Sequence, residues 1–191
     1  MLTFYCIIFL TKNSIHYKST KVLDLATIQD IISEQKTLQL SKEAEKKIED
    51  CRVYLDHKLK AHEAPIYGIN TGFGALHNVK ISKENLTKLQ ENLVMSHACG
   101  TGDKVPDAIV KLMLLFKIQS LSYGHSGVQL ETVKRLIDFY NHDVLPVVYT
   151  QGSLGASGDL APLAHLALPL IGKGDVSYNN KILPAETILQ E

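Results

Sequence analysis

Along this chain apolar residues recur every three to four positions far more often than they alternate, the period of helices packed on one face. Asp24 and Thr27 suit the cap of a short amphipathic helix carrying Ile28, Ile31 and Ile32. Ser41 opens a longer helix with Ala44, Ile48, Cys51, Leu55 and Leu59 on one stripe. Its charge run from Lys42 to Asp50 reads as a solvated face with i,i+4 pairs. A third helix is predicted from Ser82 through Leu86, Leu89 and Leu93 to Ser96-His97, ended by Thr101 and Gly102. Pro106 fits the first turn of a fourth, whose Ile109, Val110, Leu112, Met113, Leu114, Leu115, Phe116, Ile118 and Leu121 are apolar nearly all round, as in a helix buried on most sides. Ser126 is the expected cap of a fifth, through Val128, Leu130, Val133, Leu136, Ile137 and Tyr140, broken by Pro146. A sixth, apolar helix spans 160–171 with Pro162 in its first turn, and 176–183 reads as a small hairpin turning at Asn179-Asn180. The predicted class is mainly α, with a few short strands or hairpins.

Composition narrows the setting. The 191 residues, 45% of them hydrophobic, are enough for one globular domain, and no repeat, low-complexity tract or linker divides them. Twenty basic against twenty acidic residues give zero formal charge, so neither a nucleic-acid surface nor an acidic-lipid partner is expected. Cys6, Cys51 and Cys99 are odd in number and widely spaced, which argues against a disulfide framework or a zinc site and for a reduced, cytoplasmic setting. Cys99 has no basic neighbour in sequence and is expected to pack. The run from Met1 to Leu10 is nearly all apolar, yet a bilayer span needs about 20 such residues. With no Lys or Arg before it and no small-residue cleavage site after it, it is a poor secretory signal. Residues 1–19 read as an atypical extension, a buried strand or the product of an early start codon.

Two loops carry chemistry. Gly152, Gly155 and Gly158 surround a single Ser157, freeing the backbone for very tight folding. If the Gly158 amide nitrogen closes onto the Ala156 carbonyl carbon, a five-membered ring forms. Loss of water from the ring and from the Ser157 hydroxyl then leaves a conjugated exocyclic methylidene, a strong electrophile made from backbone. A plain turn or an anion cradle at a helix N-terminus are the other readings of such glycines. A nucleophile elbow is not, because it requires Gly where Asp159 stands. Asp159 suits a cap of the following helix, on which His165 is expected to pack or bond locally. The second loop, residues 65–74, holds Tyr67, Gly68, Asn70, Gly72 and Gly74; it lacks the Lys-Ser/Thr of a phosphate turn, and a flexible lid based at Tyr67 is the alternative. His97, at a helix end beside Ser96, is read either as a capped or core histidine or as a functional one.

The fourteen residues from Gly152 to His165 closely resemble the signature of the aromatic amino-acid ammonia-lyases, which carry a 4-methylidene-imidazol-5-one group. Tyr67-Gly68-Ile69-Asn70-Thr71-Gly72-Phe73-Gly74, the Ser96-His97 pair and Tyr123–Val128 are similar to further family segments, so the likeness covers about residues 20–191. It implies the N-terminal part of the helical, aspartase/fumarase-like ammonia-lyase fold. It also implies an electrophile formed autocatalytically from Ala156, Ser157 and Gly158, with no metal or dissociable cofactor. Tyr67 becomes the base that takes the β-proton, His97 faces the substrate's ring, Asn70 and Gly74 join the substrate site, and His125 is read as structural or as supporting the site's residues from behind. A free tyrosine has pKa about 10, so only about one in a thousand is phenolate at neutral pH, and nearby donors or positive charge must lower it.

Phenylalanine-specific members usually carry an apolar residue where His97 stands. Histidine- and tyrosine-specific members both carry His there, so His97 argues for a polar substrate ring, and the resemblance is best to the histidine-specific branch, L-histidine to trans-urocanate and ammonia, in a cytoplasmic homotetramer. A tyrosine or phenylalanine lyase, a 2,3-aminomutase, and a non-catalytic interaction module are the alternatives. Family members are longer, and their later segments add an asparagine, glutamine, tyrosine, arginine and glutamate to the site, so the chain reads as an N-terminal portion inactive alone.

Overall fold

The computed structural model describes residues 14–17, 23–61, 64–72, 81–82, 85–152 and 160–190. The apolar run 1–10 lies outside them. A short strand β1 (Ser14–Tyr17) is followed by α1 (Leu25–Ser33), whose N-terminus is held by the Asp24 carboxylate accepting from the Thr27 amide at 2.7 Å. Strand β2 (Thr37–Leu40) pairs in parallel with β1, and Ser41 then caps α2 (Lys42–Ala61) by accepting from the Ala44 amide at 3.1 Å. The charge run behaves as expected on a wet face: Lys47–Glu43 and Lys46–Asp50 pair at i,i+4, and Arg52–Asp56 continues the pattern just beyond it.

Helix α3 (Leu86–His97) begins later than Ser82. The Ser82 hydroxyl instead accepts from the Asn85 side-chain amide at 3.1 Å. Residues 101–104 do not simply end this helix; they form strand β3 (Thr101–Lys104), antiparallel to β5 (Tyr149–Gln151). Cys99 is exposed rather than packed, because it lies in the turn between α3 and β3.

Pro106 occupies the cap position just before α4 (Asp107–Ser122). That helix is buried through Val110, Leu114, Leu115, Ile118 and Leu121, while Ile109 and Phe116 are about half exposed, so one side is open rather than covered all round. Helix α5 (Leu130–Asn141) is capped at Gln129, three residues beyond the cap expected at Ser126, whose hydroxyl instead accepts from the Val128 amide. Pro146 lies in a two-residue strand, β4 (Leu145–Pro146), which extends the predicted hairpin of β6 (Asp175–Tyr178) and β7 (Lys181–Pro184) into a three-stranded sheet. Asn179 and Asn180 both take positive φ, +50° and +59°, as a tight primed turn requires. The apolar helix expected at 160–171 divides. Helix α6 (Leu160–Ala167) passes into a 3₁₀ turn (Leu168–Ile171) at Pro169, which has no amide hydrogen to continue the ladder. Helix α7 (Ala185–Leu189) ends the described chain.

One core joins these elements: Ile31, Leu38, Ala44, Ile48, Leu114, Ile118, Val133, Tyr140 and Val176 are all at most 2% exposed. The Asn141 side chain clamps β2 to α5, accepting from the Leu38 amide at 2.7 Å and donating to the Leu38 carbonyl at 2.9 Å. Helix α3 contributes no fully buried residue and packs against α6. Among the described residues no helix is long and apolar enough to cross a membrane.

Candidate active site

The loop bearing Tyr67 is shaped by its own polar groups. Amides of Ile69 and Asn70 donate to the Ile66 carbonyl at 3.0 and 3.2 Å, and Gly68 takes φ +69° to make the turn. Asn70 is 5% exposed; its side-chain oxygen accepts from the Ile66 amide at 2.7 Å and its NH₂ donates to the Ala64 carbonyl at 3.4 Å. Its amide thus builds the loop from inside. Thr71, fully buried, accepts from the Gly68 amide and donates to the Gly72 carbonyl. Tyr67 stands on this frame with 63% of its surface exposed.

Gln90, which no sequence pattern singles out, ties the loop to α3. Its side-chain NH₂ donates to the carbonyls of Gly68 and Ile69 at 3.2 and 2.9 Å. Two helical turns further on is His97, whose Nδ1 lies 2.7 Å from the Leu93 carbonyl and 3.2 Å from the Ser96 hydroxyl. A carbonyl only accepts, so Nδ1 carries the hydrogen that joins this ring to its own helix. Gln90, Leu93, Val94 and His97 form one wall of a groove of about 300 Å³, and Leu160, Leu163, Ala164 and Ala167 of α6 form the other. That volume suits a small ligand, and its apolar lining with a few polar groups is the usual make-up of such sites.

Helix α6 is anchored by His165, 8% exposed, whose Nε2 accepts from the Gly100 amide at 2.9 Å. The ring meets Tyr149 edge-on at 5.2 Å. Burial holds this imidazole below its usual pKa, and the neutral form is the one that can accept at Nε2. His165 therefore packs as expected, but its bond reaches across 65 residues instead of locally. Gly100 is small for a reason: a Cβ there would lie 2.9 Å from Nε2 of His165. Gly152, at φ +149°, is packed equally closely, since a Cβ would stand 2.7 Å from the Gly100 Cα and 3.2 Å from the Ala161 Cβ. Gly152 and the first turn of α6 thus come together against the strand after His97.

Of the residues singled out in the sequence, Tyr67 and Asn70 share one loop, His97 lines the groove, and Gln90 links the two. Ala156, Ser157, Gly158 and Gly74 lie outside the described residues. His125 lines a separate depression with Lys47, Asp50 and Cys51. Among the described residues no group of three or more His, Cys, Asp or Glu is placed to hold a metal ion.

The family model described as "Aromatic amino acid lyase" matches residues 23–191. Histidine ammonia-lyase of Deinococcus radiodurans is 47% identical over 169 residues, covering 88% of this chain and 32% of that protein. Among solved structures, histidine ammonia-lyase from Trypanosoma cruzi superposes with a TM-score of 0.76 at 33% identity, over 88% of this chain and 32% of the other. Tyrosine aminomutase from Streptomyces globisporus gives 0.83 at 28% identity, over 94% and 33%. The chain spans about a third of the length of these relatives. The family match over residues 23–191, with the same helical fold in both solved relatives, makes this chain a member of the aromatic amino acid lyase family.

Proposed function

We propose that this chain is the part of a histidine ammonia-lyase that carries the proton-abstracting tyrosine, the ring-recognising histidine and the electrophile-forming tripeptide. The activity is elimination of ammonia from L-histidine to give trans-urocanate, in a cytoplasmic homotetramer. One observation carries the reading: α3 is bonded to the Tyr67 loop at Gln90 and lines a groove at His97 whose far wall is α6. The close approach of Gly152 to Gly100 and Ala161, too tight for a Cβ, fixes the backbone at position 152 beside that helix. The methylidene-imidazolone of Ala156, Ser157 and Gly158 supplies an electrophile for the substrate's amine.

The chain's own side chains do the rest. A β-proton next to an aromatic ring is barely acidic, so a positioned base is needed, and Tyr67 accepts that proton at its phenolic oxygen. His97, held to its helix through Nδ1, orients a polar ring; a site built to hydrogen-bond a substrate rejects an apolar ring that leaves its polar atom unpaired. Asn70 contributes through the loop it holds, and Gly74 belongs to the same segment.

The test is made on this chain completed with the segments of the Deinococcus radiodurans relative that it does not span. Urocanate formed from histidine, with little coumarate from tyrosine or cinnamate from phenylalanine, is expected. Tyr67→Phe should cut elimination by about a hundredfold or more while histidine still binds. Products from tyrosine or phenylalanine instead, or β-amino acids, would move the assignment to a tyrosine or phenylalanine lyase or a 2,3-aminomutase.

A further inference from the structure

The hydrogen bonds inside residues 64–72 fix the shape of the Tyr67 loop, but they do not say where that loop stands relative to the groove. Gln90 does. Its NH₂ has two hydrogens, and they go to two consecutive carbonyls, Gly68 at 3.2 Å and Ile69 at 2.9 Å, immediately after Tyr67. Both carbonyls accept, and Gly68 is the residue whose positive φ turns the chain. The same Gln90 side chain lines the groove shared with His97. Gln90 and His97 are seven positions apart, about two turns and about 10 Å along the axis, so they lie nearly on one face of α3.

We infer that Gln90 is a positioning residue for the Tyr67 base: its amide sets the distance and angle between the tyrosine loop and the substrate's ring in the His97 groove. The inference rests on the lyase reading above. It needs a donor of two hydrogen bonds at this position, not merely a side chain of this size. Glu has the same shape but, as a carboxylate, offers no hydrogen and repels both carbonyls. Lys is longer by little and carries three hydrogens on one nitrogen, so it can serve both acceptors.

In the completed chain, Gln90→Leu and Gln90→Glu should each lower kcat for histidine by about 10- to 100-fold, the scale expected when a reacting group is displaced by about 1 Å, with KM held within about twofold. Gln90→Lys should keep kcat within about threefold of the parent. Because Gln90 is exposed and outside the core, all three variants should melt within a few degrees of the parent and show the parent's mass deficit of two waters relative to their own sequences. Gln90→Glu as active as the parent would overturn the inference, since it would show that only bulk matters. So would a loss carried by KM alone, or Gln90→Lys as impaired as Gln90→Leu. Failure of the underlying lyase reading looks different: the unsubstituted completed chain would release no ammonia from any aromatic amino acid.

Discussion

Tyr140 and His165 are both buried polar rings, and they make opposite predictions. The Tyr140 hydroxyl finds no hydrogen-bond partner among the described residues, although the ring is 1% exposed and Lys111 Nζ sits 4.9 Å from its centroid. Burial, with the Asp143 carboxylate adding to it, pushes the phenol up to about 12, so it stays protonated at any physiological pH. An orphaned hydroxyl costs about 1–3 kcal/mol of desolvation, and Tyr140→Phe removes it at nearly constant volume. The variant should raise the urea midpoint by the equivalent of about 1 kcal/mol; a drop would mean that the hydroxyl has a partner. His165 has its partner and depends on being neutral. Its folded pKa is depressed below 6.5, so as pH falls through 6.5 the unfolded chain takes up a proton that the native ring still refuses. Stability from this group is complete above about pH 6.5 and declines below it until the folded pKa is passed. His165→Gln keeps an acceptor for Gly100 but does not titrate. Denaturation at pH 7.5 and pH 5 should show a smaller acid loss in the variant; identical losses would assign the effect to other groups.

At the scale of elements, α1 to α6 were legible from their apolar periodicity, the five-residue α7 was not, and Asp24 and Ser41 cap where their side chains suggested. Of the strands only the β6–β7 hairpin was legible, through its Asn179-Asn180 turn. Thr37–Leu40 is only four residues long, and what holds it is an Asn141 clamp from 103 residues away, a contact that no local pattern encodes. Thr101–Lys104 is exposed at all four positions, so it has no apolar alternation to read. The site divides the same way. Tyr67 and His97 were singled out by the segments around them, whereas Gln90 is one more polar residue on an exposed helix surface until its two carbonyl partners are seen. Glycines give the sharpest test of how elements meet. Gly124, at φ +72°, faces α2 so closely that a Cβ would be 2.7 Å from the Lys47 backbone. Gly172, at φ +69°, has nothing within 4 Å. An alanine at either position carries left-handed strain of about 1–2 kcal/mol. Only Gly124→Ala adds a collision with backbone, costing typically a further 1–3 kcal/mol. Gly124→Ala should therefore lower stability clearly more than Gly172→Ala in urea melts, and equal losses would show that α2 and this turn can separate freely.

Across the whole molecule, the core runs through α1, β2, α2, α4, α5, β4, β6, α6 at Leu166 and α7 at Ala185, while α3 lies outside it and packs on α6. The candidate site is therefore tied to the core through α6, and its edge is set by the contact of Gly100, Gly152, Ala161 and His165. That contact also brings Gly152 to the first turn of α6, although eight residues separate Gly152 from Ala161 in sequence. Closing a backbone ring between Ala156 and Gly158 means forcing an amide nitrogen onto a carbonyl carbon two residues back, and a short segment with pinned ends is where such crowding is least costly in entropy. The completed chain should weigh two waters less than its sequence. Ser157→Ala, which removes the hydroxyl lost in the second dehydration, should abolish the full deficit and nearly all activity. Gly152→Ala leaves every reacting atom in place but forces a Cβ against Gly100 and Ala161, so a mixture of full and reduced masses is expected, with activity following the reduced fraction. If Gly152→Ala matures completely, the pinned ends play no part in ring closure, and the tripeptide's own residues are sufficient.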